Sequence, residues 1–332
     1  PALHFEGRPV VFFSGRVHPG ETPGSFATNG FLQFILSDDP RAVELRRRFV
    51  FKVCPMLNPD GVAWGHSRFN TVGYDLNRCY RAPVAEQHEG VFAVKQLLLN
   101  WAAQKQLFFY MDSHGHMNKR GCFLFANHNG DKMWSSEDAF LWNLAYAHAA
   151  QLNCPHLDID SCEWNKHFDK QPPSKKGKNR DEMEEGEGDD EADETSRAES
   201  GRAQIGEHCR LYHAYTLECS YNTGRYVRPV PDAPDLPAEL QAPQSLAGCT
   251  YEGRRVHPPP YGPREWAAVG EALGVAILDL HCRSAHSRLL AGRPPKPFLP
   301  PSRDLERASF LLERLWDALQ ARPPRPGGGA LP

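Results

Sequence analysis

The stretch of sequence that decides the fold is residues 11–21, Val-Phe-Phe-Ser-Gly-Arg-Val-His-Pro-Gly-Glu. Its apolar start, preceded by Val10, is typical of a buried β-strand, and the polar turn that follows places His18 and Glu21 just beyond that strand. Open α/β sheets bind ligands at this edge, beyond the carboxyl ends of their strands. Because an imidazole and a carboxylate in one turn can reach the same ion, the turn predicts half of a zinc site. The alternative interpretation is a plain surface turn.

A third ligand has to come from another strand end. Residues 107–111, Leu-Phe-Phe-Tyr-Met, predict an apolar strand, and Asp-Ser-His-Gly-His follows it at 112–116. We therefore predict His114 as the third ligand, just past the strand, with His116 as the competing choice. Asp112 would accept the other N–H of the ligating imidazole.

The order of the remaining patterns indicates an α/β sheet. Helical periods at 23–36 and 41–47 are followed by an apolar strand at 49–57 and by turn residues at 58–61. The order strand, helix, strand favours parallel neighbours. Further helices are predicted at 84–101, 137–152 and 264–282, and further strands at 121–126 and 211–218.

Polar groups that could bind a substrate lie near these strand ends. Arg68, Asn77 and Arg78 occur in the loop of residues 62–81. An arginine fork with a neutral amide donor can clamp a chain-terminal carboxylate, whereas surface arginines paired with acids are the alternative. Glu218 places a further carboxylate at the end of the strand predicted at 211–218.

Composition excludes several classes of protein. A formal net charge of −3 over 332 residues gives no electrostatic case for binding nucleic acid or an anionic membrane. The 9 cysteines include no C-x-x-C pair, so neither a disulfide framework nor a cysteine zinc site is indicated, and a reducing compartment fits best. No apolar run reaches the ~18 residues that a membrane-spanning helix needs.

Two regions break the globular pattern. Residues 170–201 are dense in acids and have no apolar period, which predicts a disordered insert that is either a solvated loop or a partner site. Residues 291–332 are rich in proline, with one predicted helix at 305–319. We therefore expect one catalytic domain over residues 1–290, interrupted by the acidic insert.

A set of motifs gives these sites a common context: His-Pro-Gly-Glu at 18–21, Asn-Pro-Asp-Gly-Val at 58–62, Asp-Leu-Asn-Arg at 75–78, Asp-Ser-His-Gly-His at 112–116 and Tyr-Thr-Leu-Glu-Cys-Ser-Tyr-Asn at 215–222. In this order and spacing they resemble the zinc metallocarboxypeptidase family, and within it the cytosolic carboxypeptidases. The similarity covers roughly residues 10–283. It implies a three-layer α/β/α sandwich around a mixed, mostly parallel sheet, with zinc at the carboxyl edge. The related enzymes carry a small β-domain before the catalytic one, which we expect this chain to lack.

The resemblance also implies roles for individual residues. One zinc ion per chain would be bound by His18, Glu21 and His114. Glu218 corresponds to the general base, and Arg68 to the arginine that stabilises the oxyanion.

Substrate-binding residues follow from the same resemblance. Asn77 and Arg78 correspond to the pair that binds the α-carboxylate of the substrate. The basic residue that selects an acidic side chain is predicted to be Arg202, with Arg210 as the second choice. A tyrosine lines the site in related enzymes, and three residues are candidates for it: Tyr212, Tyr221 and Tyr226.

The resemblance implies a substrate class as well. We expect removal of glutamate from polyglutamylated protein tails such as those of tubulin, including the γ-linked glutamate at a branch point, although the choice between linear and branched chains stays open. The cytoplasm is the expected location, with the nucleus and microtubules as further sites. No nucleic-acid or membrane partner is expected. Two alternatives are a catalytically idle module that binds tubulin or serves as a scaffold, and an N-acyl amino acid deacylase of the same fold.

Overall fold

The computed structural model describes residues 7–127, 136–165, 198–225, 227, 230, 237–238 and 260–281. The strands are β1 Val10–Gly15, β2 Val50–Cys54, β3 Leu107–His116, β4 Cys122–Asn127, β5 Glu163–Asn165 and β6 Ala214–Ser220. The α-helices are α1 Thr22–Leu36, α2 Pro40–Arg48, α3 Pro59–Ala63, α4 Glu89–Ala103, α5 Ser136–Gln151, α6 Gly201–His208 and α7 Pro263–His281. Short 3₁₀ turns lie at Leu76–Arg78 and Ile159–Ser161.

The strands form one sheet in the order β2-β1-β3-β6-β4-β5. The first four strands in this order are parallel, β4 is antiparallel to β6, and β5 is parallel to β4. The predicted mixed, mostly parallel sheet is therefore confirmed. Because β1 and β3 are parallel neighbours, their carboxyl ends lie at the same edge of the sheet.

Alternating side chains build a separate apolar core on each face of the sheet. In β1, Val11 and Phe13 belong to the core that α1, α2, α5 and α7 cover. Val10 and Phe12 point the other way, into the core that α4 and α6 cover. These two helical layers confirm the three-layer α/β/α sandwich.

Helices α1 and α7 cross with their backbones in direct contact. A Cβ atom on Gly30 would lie 2.1 Å from the carbonyl oxygen of Ala267, and one on Gly270 would lie 1.9 Å from that of Ala27. Real Cβ atoms do not approach other atoms so closely, so the crossing requires glycine at both positions. The close packing fixes α1, and with it the turn that precedes α1.

Two strands extend further than the sequence predicts. His114 lies inside β3, not past its end, because residues 110–116 of this strand pair with β6. Glu218 likewise lies inside β6, two residues before its last residue. Both polar segments are extended because buried backbone groups must find hydrogen-bond partners, which the neighbouring strand supplies.

The sequence patterns also did not predict three short elements, which are helix α3, strand β5 and helix α6. The predicted turn at 58–61 is the start of helix α3, for which Asn58 is the N-cap and accepts a hydrogen bond from Gly61 N–H at 3.0 Å. Strand β5 and helix α6 were not predicted, because neither is long enough to show an apolar period.

Parts of the predicted domain organisation lie outside the described residues. These are residues 170–197, which make up most of the predicted acidic insert, and the helix predicted at 305–319. The end of the predicted insert is described: Ser200 and Gly201 are the N-cap and first residue of α6. Of the helices described, none combines the length and apolarity needed to cross a bilayer.

The α1–α7 crossing yields a stability prediction. We expect Gly270→Ala to lower the free energy of unfolding by about 1–3 kcal/mol, because the new methyl group forces the two helices apart. Urea denaturation of both proteins measures the change. Gly262→Ala is the matched control, since a Cβ there has its nearest contact at 3.5 Å. Equal stability of the Gly270→Ala protein and the unmodified protein would contradict the prediction.

Candidate metal centre and substrate cavity

The turn after β1 and the end of β3 bring together three side chains of the types that ligate metals. His18 follows β1, Glu21 is the N-cap residue of α1, and His114 lies in the neighbouring strand. One potential ligand atom from each residue lies within 4.8 Å of the other two. Two imidazole nitrogens and one carboxylate are a donor set of catalytic zinc sites, so the residues present fit zinc.

Glu21 bridges the two imidazoles. Its Oε1 lies 2.7 Å from Nδ1 of His18, and its Oε2 lies 2.9 Å from Nδ1 of His114. The backbone N–H of Gly115 also donates to Oε2, at 3.0 Å. Both Nδ1 atoms therefore face the carboxylate, and the Nε2 atom of each ring is directed to a partner outside the triad.

Each of these outer nitrogens contacts its own aspartate. His18 Nε2 lies 3.0 Å from Oδ1 of Asp75, and His114 Nε2 lies 2.9 Å from Oδ2 of Asp112. Zinc-binding histidines are oriented by carboxylates in this way. The sequence placed Asp112 in this role but missed Asp75, whose partner is 57 positions away in the chain.

Burial and charge set the protonation of the triad. Burial raises the pKa of Glu21, but the adjacent His114 and His18 outweigh it and hold that pKa well below its usual range. Burial lowers the pKa of His114, yet Asp112 and Glu21 raise it well above the usual value. Glu21 is therefore ionised at neutral pH, and the site favours positive charge, whether it is carried by a proton or by a metal ion.

The triad lines a cavity of about 790 Å³. Glu218, in β6, is half-buried and lies opposite His114 in the register of two parallel strands. A carboxylate is thus present beside the metal-binding residues, where a general base is needed. Every residue that the sequence assigned to the site lines this cavity: His18, Glu21, Arg68, Asn77, Arg78, His114, Arg202 and Glu218.

Arg68 is tied to the triad through Asp75. Its Nε and one terminal nitrogen lie 2.9 and 2.7 Å from Oδ2 of Asp75. Desolvation raises the pKa of Asp75, but His18 and Arg68 outweigh it and keep that pKa well below its usual range. The ion pair therefore holds the arginine at the cavity wall, one aspartate away from the imidazole of His18.

Asn77 and Arg78 lie in the 3₁₀ turn that follows Asp75. The side chain of Asp75 accepts a hydrogen bond from the backbone N–H of Asn77 at 3.0 Å and so fixes the start of the turn. The side-chain oxygen of Asn77 accepts from the backbone N–H of Gly201 at 2.9 Å. Because its oxygen is engaged, Asn77 has its amide N–H groups to offer to a substrate carboxylate.

Arg202 is a buried residue of the cavity lining, with an exposed fraction of 3%. One of its terminal nitrogens donates to the backbone oxygen of Ala126 at 3.1 Å and to the side-chain oxygen of Asn127. Ser200 caps α6 by accepting from the backbone N–H of Ala203, and this sets the helical turn that carries Arg202. The guanidinium lines the cavity, where this group is suited to binding a carboxylate.

The second-choice residues, His116 and Arg210, lie in surroundings different from those of His114 and Arg202. Nδ1 of His116 accepts the backbone N–H of Lys119 at 3.0 Å, so this ring stabilises the turn after β3 and is not part of the ligand triad. Arg210 is exposed in the turn after α6 and is absent from the cavity lining in the described part of the chain.

Among the candidate tyrosines, Tyr221 lines the cavity and donates its hydroxyl proton to the backbone oxygen of Gly20 at 3.1 Å. Burial, with Glu21 and Glu218 nearby, raises its pKa to about 12, so it remains a hydrogen-bond donor at neutral pH. Tyr212 is absent from the lining formed by the described residues, and Tyr226 lies outside them.

Lys119, Phe125 and Thr216 are among the lining residues that sequence reasoning missed. Lys119 belongs to the connection between β3 and β4, while the other two belong to β4 and β6. The only signal in the sequence is that Lys119 closely follows the His114 motif, which does not show in which direction the connection folds.

Comparison with known proteins agrees with this geometry. Residues 1–118 match the family model described as zinc carboxypeptidase. The chain is 32% identical to cytosolic carboxypeptidase-like protein 5 of Danio rerio, over 86% of this chain and 41% of that protein. It is also 32% identical to cytosolic carboxypeptidase 6 of Caenorhabditis elegans, over 89% of this chain and 54% of that protein. The chain thus spans about half or less of the length of these relatives.

A solved structure shows the same fold. The metallo-carboxypeptidase of Burkholderia cenocepacia superposes with a TM-score of 0.57 at 20% identity, over 84% of this chain and 58% of that one. The family match, the curated relatives and the fold agree with the resemblance that the sequence motifs carry. This chain therefore belongs to the zinc carboxypeptidase family.

Proposed function

We propose that this chain forms the catalytic part of a zinc-dependent carboxypeptidase that removes glutamate from polyglutamylated protein tails, such as those of tubulin. The observation that carries this proposal is that one cavity combines the zinc-binding triad and Glu218 with groups suited to carboxylates, which are Asn77, Arg78 and Arg202. The first set suits hydrolysis of an amide, and the second suits an amino acid with two negative charges.

The chain's own residues divide the chemistry among them. Zinc at the triad would polarise the scissile carbonyl and lower the pKa of an attacking water from about 15.7 towards ~7. Glu218 would accept the proton of that water and pass it to the leaving amine. Arg68, held by Asp75, would stabilise the negative charge that develops on the carbonyl oxygen.

Selection of a terminal glutamate follows from two anion sites. Asn77 and Arg78 would hold the free α-carboxylate, which limits cleavage to the last residue of a chain. Arg202 would bind the side-chain carboxylate. A glutamate attached through a γ-amide presents the same two carboxylates, and we propose that such branch-point residues are included among the substrates.

The setting of the reaction is also a proposal. The names of the curated relatives support a cytoplasmic location. We propose one zinc ion per chain, glutamylated tubulin tails or other polyglutamylated proteins as partners, and the nucleus and microtubules as further places of action.

The decisive experiment measures the release of free glutamate by the zinc-loaded protein from two synthetic peptides. One peptide ends in a linear glutamate tail, and the other carries a single glutamate on a γ-linked branch. We expect release from both, and loss of release when a chelator removes the metal. Release from the linear peptide alone would reject the branch-point activity, and no release from either by zinc-loaded protein would contradict the proposed function.

Replacement of the general base should separate metal binding from turnover. We expect Glu218→Gln to lower kcat about 10²- to 10⁴-fold, because the amide cannot accept the proton of the attacking water. Zinc content, measured by atomic absorption, should stay the same. The matched control is Glu207→Gln, an exposed residue of α6. Full turnover by the Glu218→Gln protein would exclude Glu218 as the base.

Replacement of an orienting aspartate tests the metal site without an activity assay. Asp112→Asn removes the negative charge that holds His114, and we expect zinc affinity to fall about 10- to 100-fold. Competition with a chromophoric chelator measures that affinity. Asp60→Asn, at an exposed position, is the matched control. Unchanged zinc affinity in the Asp112→Asn protein, with folding verified by circular dichroism, would show that this aspartate does not support the site.

A further inference from the structure

One face of the sheet forms a strip that lines the cavity; we call this strip the cavity floor. In the antiparallel register of β4 and β6, Phe123 lies opposite Glu218, and Phe125 lies opposite Thr216. Because side chains alternate along a strand, residues 123, 125 and 127 of β4 share one face. Phe125, Thr216 and Glu218 all line the cavity, so the floor consists of this face of the two strands.

Lys119 reaches over the cavity floor from the connection between β3 and β4. Its Nζ lies 5.4 Å from the ring centre of Phe123 and 5.7 Å from that of Phe125. It also forms an ion pair with Glu163 of the edge strand β5. The lysine itself lines the cavity, so its charge is available to a substrate as well as to Glu163.

Lys119 and Arg202 occupy different places along the floor. Arg202 is bonded to Ala126 and Asn127 at the end of β4, whereas Lys119 lies over the rings near its start. Asn127 is two residues beyond Phe125, a separation of about 7 Å along an extended strand. The two cations therefore contact different positions along β4.

A count of charges decides what Lys119 can bind. The glutamate that is released has only two carboxylates, and the proposed function assigns these to Asn77 with Arg78 and to Arg202. Because both are assigned, a substrate carboxylate that replaces Glu163 at Lys119 belongs to a residue that remains on the chain. On the basis of that proposed function, we propose that Lys119 is a specificity-determining residue that binds the carboxylate of the residue next to the released glutamate.

The ion pair between Lys119 and Glu163 is weak enough for a substrate carboxylate to replace Glu163. The side chain of Lys119 is 41% exposed and that of Glu163 is 28% exposed. Ion pairs between such exposed side chains contribute little free energy. An incoming carboxylate would replace that of Glu163, so the lysine exchanges one ion pair for another. The ammonium group on a flexible stem can make this move while the stem stays packed on the two rings.

The test compares two peptides that differ only in the residue before the terminal glutamate, which is glutamate in one and glutamine in the other. We expect the unmodified protein to prefer the first peptide about fivefold in kcat/KM, mainly through KM. Lys119→Met removes the charge but keeps an unbranched apolar chain against the rings, and it should abolish this preference by lowering kcat/KM for the glutamate peptide. Glu163→Gln removes a carboxylate that competes with the substrate for Lys119 and should increase the preference.

Arg120→Met is the matched control, because Arg120 is the exposed neighbour of Lys119 and is absent from the cavity lining in the described part of the chain. It should leave the preference intact. An equal loss by Lys119→Met on both peptides would overturn the inference in favour of a structural role.

A binding measurement separates this inference from the proposed function. Fluorescence anisotropy of the same two peptides with zinc-loaded Glu218→Gln protein, with and without Lys119→Met, does not require turnover. Tighter binding of the glutamate peptide that is lost with Lys119→Met supports the inference even if the unmodified protein releases nothing. Equal binding of both peptides overturns it even if the unmodified protein releases glutamate.

Discussion

The candidate site depends on how closely α1 approaches strand β3. A Cβ atom on Gly24 would lie 2.5 Å from the carbonyl oxygen of Ser113, so the first turn of the helix rests directly on the backbone of the strand. This contact places Glu21, the N-cap residue, within 3.0 Å of the backbone N–H of Gly115 and beside the ring of His114. A larger residue in place of Gly24 would separate the carboxylate from one of its two imidazoles.

Around that contact, basic side chains and carboxylates alternate in a continuous row. Arg68 pairs with Asp75, whose carboxylate contacts the ring of His18, and this ring contacts Glu21. On the other side of Glu21 the row continues through His114 to the buried Asp112, which accepts a hydrogen bond from Ser14 at 2.8 Å. Each member between Arg68 and Asp112 thus contacts a neighbour of the row on both sides. Interactions of this kind inside a protein orient one another more strongly than isolated surface pairs do.

Local pattern was enough to find the parts of the site that are close in sequence. His18 and Glu21 share one turn after an apolar run, and Asp112 and His114 share one strand. The contact between Asp75 and His18 could not be found in this way, because it depends on how the loop of residues 62–81 folds back on the turn. Helix α6 was missed for a related reason: it has only 8 residues, and its burial comes from tertiary packing and not from an apolar period. Its one local signal was the cap residue Ser200.

That short helix also joins the two ends of the proposed recognition site. The hydrogen bond from Gly201 N–H to Asn77 ties the first turn of α6 to the loop proposed to hold the α-carboxylate. A Cβ atom on Gly201 would lie 2.5 Å from the hydroxyl oxygen of Tyr110, so the helix cannot move closer to the sheet. Since Arg202 is the next residue, its distance from Asn77 is fixed by packing rather than by substrate. In the proposed reaction, the two carboxylates of glutamate therefore bind groups whose separation is fixed by a rigid part of the fold. One short helix could thus set both where the chain is cut and which residue is released.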